Sequence, residues 1–535
     1  MTKRKASLLL VLGVVAGWIA INSFFSFQPA RPDQEVAVLG LASYREGMSL
    51  REAFETFPDH GATRAELRLL QDNNAAWAAR WDLLDKARRS IDVSYFILRQ
   101  DVFGVAFLGH LLKKAQQGVK VRILLDAFGS RLSWHPKGND YLDTLVNTGN
   151  VEVRMYRPLP NRALEGLLYL SPSVAVASEH DKLLIVDGVR AITGGRNIGT
   201  EYFAHPDDAE KVFHDVEVEV VDRRAAAAMT KAFESQYNAD GASAVTRDPV
   251  DITSQSRDLG WAYAAMNIWL GGKPLSAKLA RDMEAQGLGW TQELREMEHL
   301  HGGGTKALPA YLRAEVRVLD STTRFKDPAD RISEAGARLI KSARKEIFIQ
   351  SPYVVLPEEA VDVFAQASGH GVPVVMLTNS PASTDSYLSQ AFFLEQWKQL
   401  LVRIPTLQLY GNGPDQMIHA KIASFDEVLS LVGTYNLSLE SMALNSEVML
   451  AVWSAEFAER LTANPRARVA AGVPKAYHYR IARNADGTPQ RDEDGEAIAA
   501  FGPEDHTDTD KMVRLQIYRN TLKAAEALPG VTPFF

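Results

Sequence analysis

The chain has 535 residues, 46% hydrophobic and 23% charged, enough for two or more domains with full cores. It has no cysteine, which excludes disulfides, Cys-ligated zinc, a Cys nucleophile and lipidation at a Cys. Lys plus Arg number 59 against 66 Asp plus Glu, a net charge of −7, and no Lys/Arg-rich block appears in the body, which argues against a nucleic-acid-binding face.

The N-terminus carries Lys3, Arg4 and Lys5 ahead of Leu8–Phe25, an 18-residue uncharged stretch. A signal-peptide core is usually about 7–15 residues, and no Ala-x-Ala site precedes Gln28, so residues 1–27 read as an uncleaved anchor, with a cleaved signal as the alternative. The basic flank stays in the cytoplasm, which puts the body outside it, in the periplasm if the source is bacterial, or secreted if the segment is cleaved. Residues 28–65 read as a polar linker with a short helical lead-in.

From residue 66 to 245 the pattern is that of one α/β domain. Ala76–Arg89 has helical periodicity, a strand containing Tyr95 follows, then a helix around Val105–Gln117 and a strand ending at Asp126. This βαβ order implies parallel strands covered by helices. Between Ala127 and Ser178 lies an insertion with Trp134-His135-Pro136-Lys137 and an apolar run Leu164–Leu170, read either as a rim meeting acyl chains or as a packed helix. Residues 246–315 form a further helical unit rich in Trp, Met and Gly, whose Trp261, Trp269 and Trp290 read as core. His299 and His301 suggest metal, but without partners at ligand spacing they read as a surface helix end. The βαβ order recurs from Ile332 to Leu377 in a second domain, 316–465. Residues 466–535 follow with turn signals at Asn484–Gly487 and Asp492–Gly495, a hairpin extension, and a helix near Asp510–Leu528; the acidic run does not fit the EF-hand spacing.

One pattern occurs twice. His180-Asp181-Lys182 has Asp187 five residues on, and His419-Ala420-Lys421 has Asp426 five residues on. The copies stay in register to Gly194/Gly433 and Asn197/Asn436, since 419 minus 180 and 436 minus 197 both give 239. A repeat that keeps this register is a duplicated site. Each copy lies in a run that reads as a buried strand, Lys182–Asp187 and Ile418–Phe425, where residues two apart share a face; His, Lys and Asn can then converge on one anion.

These residues resemble the phospholipase D superfamily, whose His-x-Lys-x4-Asp motif and later Asn occur twice in single-chain members. Ile91–Phe96 and Ile347–Tyr353 resemble its first core strands, Gly118–Leu125 and Gly371–Leu377 its second, and Val186-Asp187-Gly188 with Gly194–Gly199 is most similar to the bacterial cardiolipin synthase branch. The departures are Ser178 and Glu179, where such relatives often place a basic residue, and the N-terminal anchor.

The resemblance implies two pseudosymmetric α/β/α sandwich domains sharing one active site. It also implies a metal-independent reaction with no cofactor. Phosphodiesters are anionic, so Lys182, Lys421, Asn197 and Asn436 would neutralise phosphoryl oxygens while an imidazole attacks phosphorus. By carry-over His180 forms a phosphohistidine and His419 is the acid/base, although the pseudosymmetry permits the reverse. Asp215 and Glu447 would each orient a His ring, and Asp187 and Asp426 would be structural. The expected reaction is phosphatidyl transfer between phospholipids. Hydrolysis to phosphatidic acid is the alternative, and a periplasmic nuclease a weaker one. Partners are phospholipid and membrane, with no obligate protein partner.

Overall fold

The computed structural model describes residues 45–58, 64–130, 140–158, 177–239, 241–245, 253–302, 308–322 and 332–526. The anchor stretch Leu8–Phe25 and the apolar run Leu164–Leu170 lie outside them, as does Trp134–Lys137. Among the described residues no helix is long and apolar enough to cross a membrane.

In the first half the strands are β1 (Arg64–Leu70), β2 (Ser90–Tyr95), β3 (Lys120–Asp126), β4 (Val151–Tyr156), β5 (Lys182–Val186), β6 (Arg190–Gly194), β7 (Phe213–His214), β8 (Glu217–Val221) and β9 (Ala242–Ala244). In the second they are β10 (Leu312–Ser321), β11 (Ile347–Gln350), β12 (Val374–Asn379), β13 (Leu407–Asn412), β14 (Met417–Ile418), β15 (Lys421–Phe425), β16 (Leu429–Gly433), β17 (Glu447–Trp453), β18 (Ala476–Ile481) and β19 (Ala499–Phe501). Seventeen of these form one sheet in the order β9-β4-β3-β2-β5-β6-β8-β1-β10-β17-β16-β15-β11-β12-β13-β18-β19.

The order reads nearly the same from either end, with β1 and β10 at the centre. β2-β3-β4 and β11-β12-β13 are the parallel blocks that the βαβ pattern predicts. The expected pair of sandwiches is joined, because β1 covers β8, β10 covers β17, and β1 and β10 pair with each other antiparallel. Edges that two separate sheets would expose are thereby satisfied. A single apolar layer runs under this seam, with Leu67, Val218 and Val220 of the first half packed with Val316, Val448 and Val452 of the second. Its cover comes from helices Arg223–Tyr237 and Ala455–Ala471, through Met229, Phe233, Phe457 and Leu461.

Helices lie where the periodicity places them, with shifted ends. Asn73–Lys86 begins earlier than Ala76 because the Asp72 side chain accepts from Ala75 N and caps it. Val102–Gln116 is capped in the same way by Asp101. The expected boundary at residue 465 falls inside helix Ala455–Ala471. The unit after residue 252 is helical, Thr253–Leu270, Ala277–Ala285 and Trp290–Glu296. It packs Leu259, Ala262 and Met266 into the first half's core. There Gly109 is required by close approach, since a Cβ would stand 2.2 Å from the Leu259 carbonyl oxygen. Trp290 is buried, whereas Trp261 and Trp269 are only partly so. The C-terminal segment adds β18 and β19 to the second half's sheet, then the helix Thr509–Glu526.

Candidate active site

Each His–Lys pair sits at a break in regular structure. The expected strand Ile418–Phe425 is divided into β14 and β15, with His419 and Ala420 between them, and His180 lies two residues before β5. The break is made by pairing between halves. β14 lies parallel to β7, Ile418 opposite His214, and His419 N donates to the His214 carbonyl at 2.8 Å. In the equivalent place Glu179 bridges to Ser446, and Ser446 N donates to the Ser178 carbonyl at 3.1 Å.

This pairing crosses the carboxylates over. His180 Nδ1 bonds Glu447 at 2.9 Å to Oε1 and 3.0 Å to Oε2, while His419 Nδ1 bonds Asp215 Oδ2 at 2.6 Å. Each imidazole is held by the acid of the opposite half, so neither motif is complete alone. All eight of His180, Lys182, Asn197, Asp215, His419, Lys421, Asn436 and Glu447 are buried. Lys182 Nζ donates to its own histidine's carbonyl at 2.7 Å, and Lys421 Nζ lies 3.0 Å from His419 Nε2.

Aromatic rings restrict the imidazoles. Phe96 meets His180 edge-on with centroids 5.1 Å apart, Phe213 stacks on His419 at 5.1 Å, and Tyr202 meets His419 edge-on at 5.6 Å. Asn197 is engaged at both ends of its amide, accepting from Ile97 N at 3.0 Å and donating to Tyr202 Oη at 2.9 Å. Asn436 Oδ1 has no partner among the described residues.

The two acids are built differently. Gly195 packs directly on Asp215, where a Cβ would stand 2.0 Å from Oδ1. Thr434 takes the equivalent place in the second copy, and its hydroxyl donates to Glu447 Oε2. Ser441 Oγ donates to Glu447 Oε1 at 2.5 Å. Both hydroxyls already accept from backbone N–H groups, of Val448 at 2.9 Å and Asn436 at 3.1 Å, so their own protons point at the carboxylate. Behind Asp215, the buried Arg196 guanidinium donates to the Asp215 carbonyl at 2.7 Å and to Gln71 and Leu70 carbonyls at 3.0 Å. It thereby holds the segment carrying the acid.

Burial and charge separate these groups. Burial pushes the Glu447 carboxyl up to about 8, opposed by Lys182 and the two hydroxyls. Burial also raises Asp215, but the charges of His419, Lys421 and Arg196 outweigh it and hold that carboxyl below the usual range. His180 is pushed well below an ordinary imidazole by burial and by Lys182 and Lys421. His419 is lowered by burial and Lys421, with Asp215 and Asp385 opposing. Burial brings Lys421 down to about 7 against the pull of Asp215, and lowers Lys182 against Glu447, Glu179 and Asp181. Glu179 and Asp181, flanking His180, are both pushed well up by burial and by neighbouring carboxylates.

Asp187 and Asp426 lie away from the imidazoles. Asp187 accepts from the backbone N–H of Arg88, Arg89 and Ser90 at 2.7–3.0 Å, at the start of β2. Asp426 does the same for Arg344, Lys345 and Glu346 before β11. Both stand at positive φ, 54° and 53°, in the turn that ends their strands. Sequence spacing missed Tyr353 and Asp385, 2.8 Å apart, whose carboxylate charge acts on both His419 and Lys421. No short-range pattern marks a lone acid in a loop before the helix Tyr387–Arg403. His299 and His301 do not act as a pair, since His301 packs on Trp269, centroids 3.9 Å apart, and His299 faces His205 at 4.0 Å.

A sequence profile described as "Cardiolipin synthase, PLD-like domain" matches residues 81–237 and 337–466, one stretch in each half and more than half of the chain together. The chain belongs to that family. It is similar to the cardiolipin synthase C of Escherichia coli, 27% identical over 73% of this chain and 82% of that protein. A Helicobacter pylori protein is 25% identical over 74% of this chain and 77% of its own length. The fold is similar to the crystal structure of phosphatidylserine synthase from Haemophilus influenzae, with a TM-score of 0.51 and 13% identity, over 80% of this chain and 91% of that one. The match to the cardiolipin synthase model makes the chain a phosphatidyltransferase of the phospholipase D superfamily at the level of the family.

Proposed function

We propose that this protein moves a phosphatidyl group from one phospholipid to an alcohol on another, giving a cardiolipin-type product, through a covalent intermediate on His180. The observation that carries this reading is the crossed pairing, His180 with Glu447 and His419 with Asp215, which puts one imidazole from each half into a single buried site.

The two pairs suit different tasks. With Nδ1 engaged by Glu447, the His180 Nε2 lone pair is free to attack phosphorus. Burial and two lysines keep His180 neutral; burial and Lys421 lower His419 too, but there Asp215 and Asp385 oppose the shift and favour a proton. In the first step the His180 N–P bond forms, the phosphorus–oxygen bond to the donor's headgroup breaks, and His419 gives its proton to the departing alkoxide. In the second, the acceptor hydroxyl returns a proton to His419 and its oxygen attacks phosphorus. The N–P bond breaks and His180 is restored. Lys182, Lys421 and Asn436 neutralise the phosphoryl oxygens, replacing the role that a metal ion would fill. Asp187 and Asp426 act only on the backbone.

Leu8–Phe25 would hold the body on the outer side of a membrane and keep it at the lipid surface. A cavity of about 590 Å³ opens between the halves, lined by Lys211 and Val212 of one and by Ala382, Thr384 and Met417 of the other. It is a path for a headgroup to the β7–β14 seam.

The test is mass spectrometry of lipids after incubation of the purified protein with phosphatidylglycerol and phosphatidylethanolamine vesicles, with and without EDTA. Cardiolipin formed in both conditions supports the proposal. Phosphatidic acid alone makes water the acceptor, and no lipid product at all refutes a lipid substrate.

A further inference from the structure

A second group of side chains comes together on the first half, independent of the reaction assigned above. His205, Asp207 and His299 each present a ligating atom, and these atoms all lie within 4.8 Å of one another. His205 and Asp207 belong to the segment between helix Thr200–Phe203 and β7, and His299 to the helical unit after residue 252.

The spacing is that of a coordination shell. His205 Nδ1 is 3.5 Å and His299 Nε2 is 3.9 Å from Asp207 Oδ2. Ligands about 2.0–2.1 Å from a tetrahedral zinc ion stand about 3.3 Å apart; because the His205 and His299 rings stack 4.0 Å apart at 14°, one ring must rotate out of the stack to close the set. The atoms are also oriented. His299 Nδ1 is 2.7 Å from Asp208 Oδ1, a side chain only 4% exposed, which places a proton on Nδ1 and leaves Nε2, 3.9 Å from Asp207 Oδ2, as the nitrogen this ring can offer a cation. A carboxylate behind the non-ligating nitrogen is the usual support of a metal-bound histidine. His205 Nδ1 accepts from the Asp207 backbone N–H at 3.2 Å, so it is unprotonated, and a cation would displace this long contact to reach its lone pair. The turn that aims these groups is closed by Asp208 N donating to the His205 carbonyl at 2.9 Å, with Pro206 at its second position.

We infer that His205, Asp207 and His299 form a zinc-type divalent-cation site that staples the helical unit after residue 252 to the loop leading into the active site. Two imidazoles and one carboxylate are a ligand set for borderline metals and not for calcium or magnesium. The three side chains are 34%, 75% and 45% exposed, so a solvent ligand completes the fourth position. The consequence is mechanical. Seven residues after Asp208 comes Asp215, and Phe213 between them stacks on His419, so a cation here fixes one wall of the catalytic centre without entering the chemistry.

The experiment uses the full chain in detergent, its purification tag removed, stripped with a chelator, desalted and titrated with zinc chloride alone. Bound metal is counted by elemental mass spectrometry, and thermal unfolding is followed with and without zinc. One zinc per chain is expected, with a zinc-dependent rise in the unfolding midpoint. His205→Ala, His299→Ala and Asp207→Asn abolish both effects, Asp208→Asn weakens binding about 10–100-fold, and His301→Ala binds as the parent does. No zinc taken up by the parent chain, or the same uptake in the His205→Ala/His299→Ala double variant, overturns the inference. Because uptake and unfolding are read without substrate, loss of the phosphatidyl-transfer reading would leave this result untouched.

Discussion

The two halves carry the same motif at the same spacing yet hold their histidines in unlike ways. At His180 the partner acid is Glu447, wrapped by two hydroxyl donors and raised by burial to about 8. At His419 it is Asp215, packed on Gly195 and held ionised by surrounding cations. A short acid with no hydroxyl donors, surrounded by positive charge, makes a good counter-ion for an imidazolium. A longer acid that already accepts two hydroxyl protons is a tether for a neutral ring. Duplication thus supplies two similar imidazoles, and the exchange of Gly195 for Thr434 and of Asp215 for Glu447 across the repeat gives them unlike surroundings, on which the proposed division of tasks rests.

The largest effects are expected at the histidines. His180→Ala and His419→Ala should each reduce cardiolipin formation by about 10⁴-fold or more, measured as initial rate on mixed vesicles. Substantial residual turnover in either would remove that residue from the mechanism. The acids come next. Asp215→Asn should lower kcat about 10²–10⁴-fold with a natural headgroup, by analogy with loss of the orienting acid in a hydrolase triad. With a nitrophenolate leaving group, which needs no proton, the deficit in the first step should nearly vanish. Glu447→Gln should impair both substrates alike, because it misorients the nucleophile itself. Equal leaving-group dependence in the two variants would erase the division of labour.

The pH profile sharpens the same contrast. Lys421, at about 7 in the free protein, binds phosphate only when protonated, so kcat/KM should fall as pH rises through about 7. The bound phosphate's charge favours the protonated forms of Lys421 and His419, so the alkaline limb of kcat should lie at higher pH. The smallest effect belongs to Asp187→Asn, which weakens a cap over three backbone N–H groups. About 1 kcal/mol of stability should be lost, read as a lowered unfolding midpoint, with kcat unchanged.

Much of this was legible in the sequence, for reasons that differ by residue. The register of His180 with His419 and Asn197 with Asn436 identified a duplicated site, because a repeated constellation is a local pattern read twice. The βαβ blocks followed from runs such as Val374–Leu377, continuously apolar because both faces of the sheet are covered. What spacing could not give is the crossing of partners. His180 and Glu447 are 267 residues apart, His419 and Asp215 are 204 apart, and the β7–β14 pairing and the Glu179–Ser446 bridge between the joined halves bring them together. The same limit hid the group around His299, whose neighbours His205 and Asp207 lie more than 90 residues upstream. The strand drawn through Ile418–Phe425 failed because the side-chain pattern of a run does not reveal where a strand changes partner. β14 turns to β7, and β15 to β11 and β16.

The most direct test of the division between the two histidines is to trap the intermediate. The His419→Ala variant, given a phosphatidyl ester of nitrophenol, can expel that leaving group without an acid but cannot activate the acceptor. Peptide mass spectrometry should then find the phosphatidyl group on His180. No adduct on His180, together with an adduct on His419 in the His180→Ala variant under the same conditions, would contradict the assignment and reverse the roles.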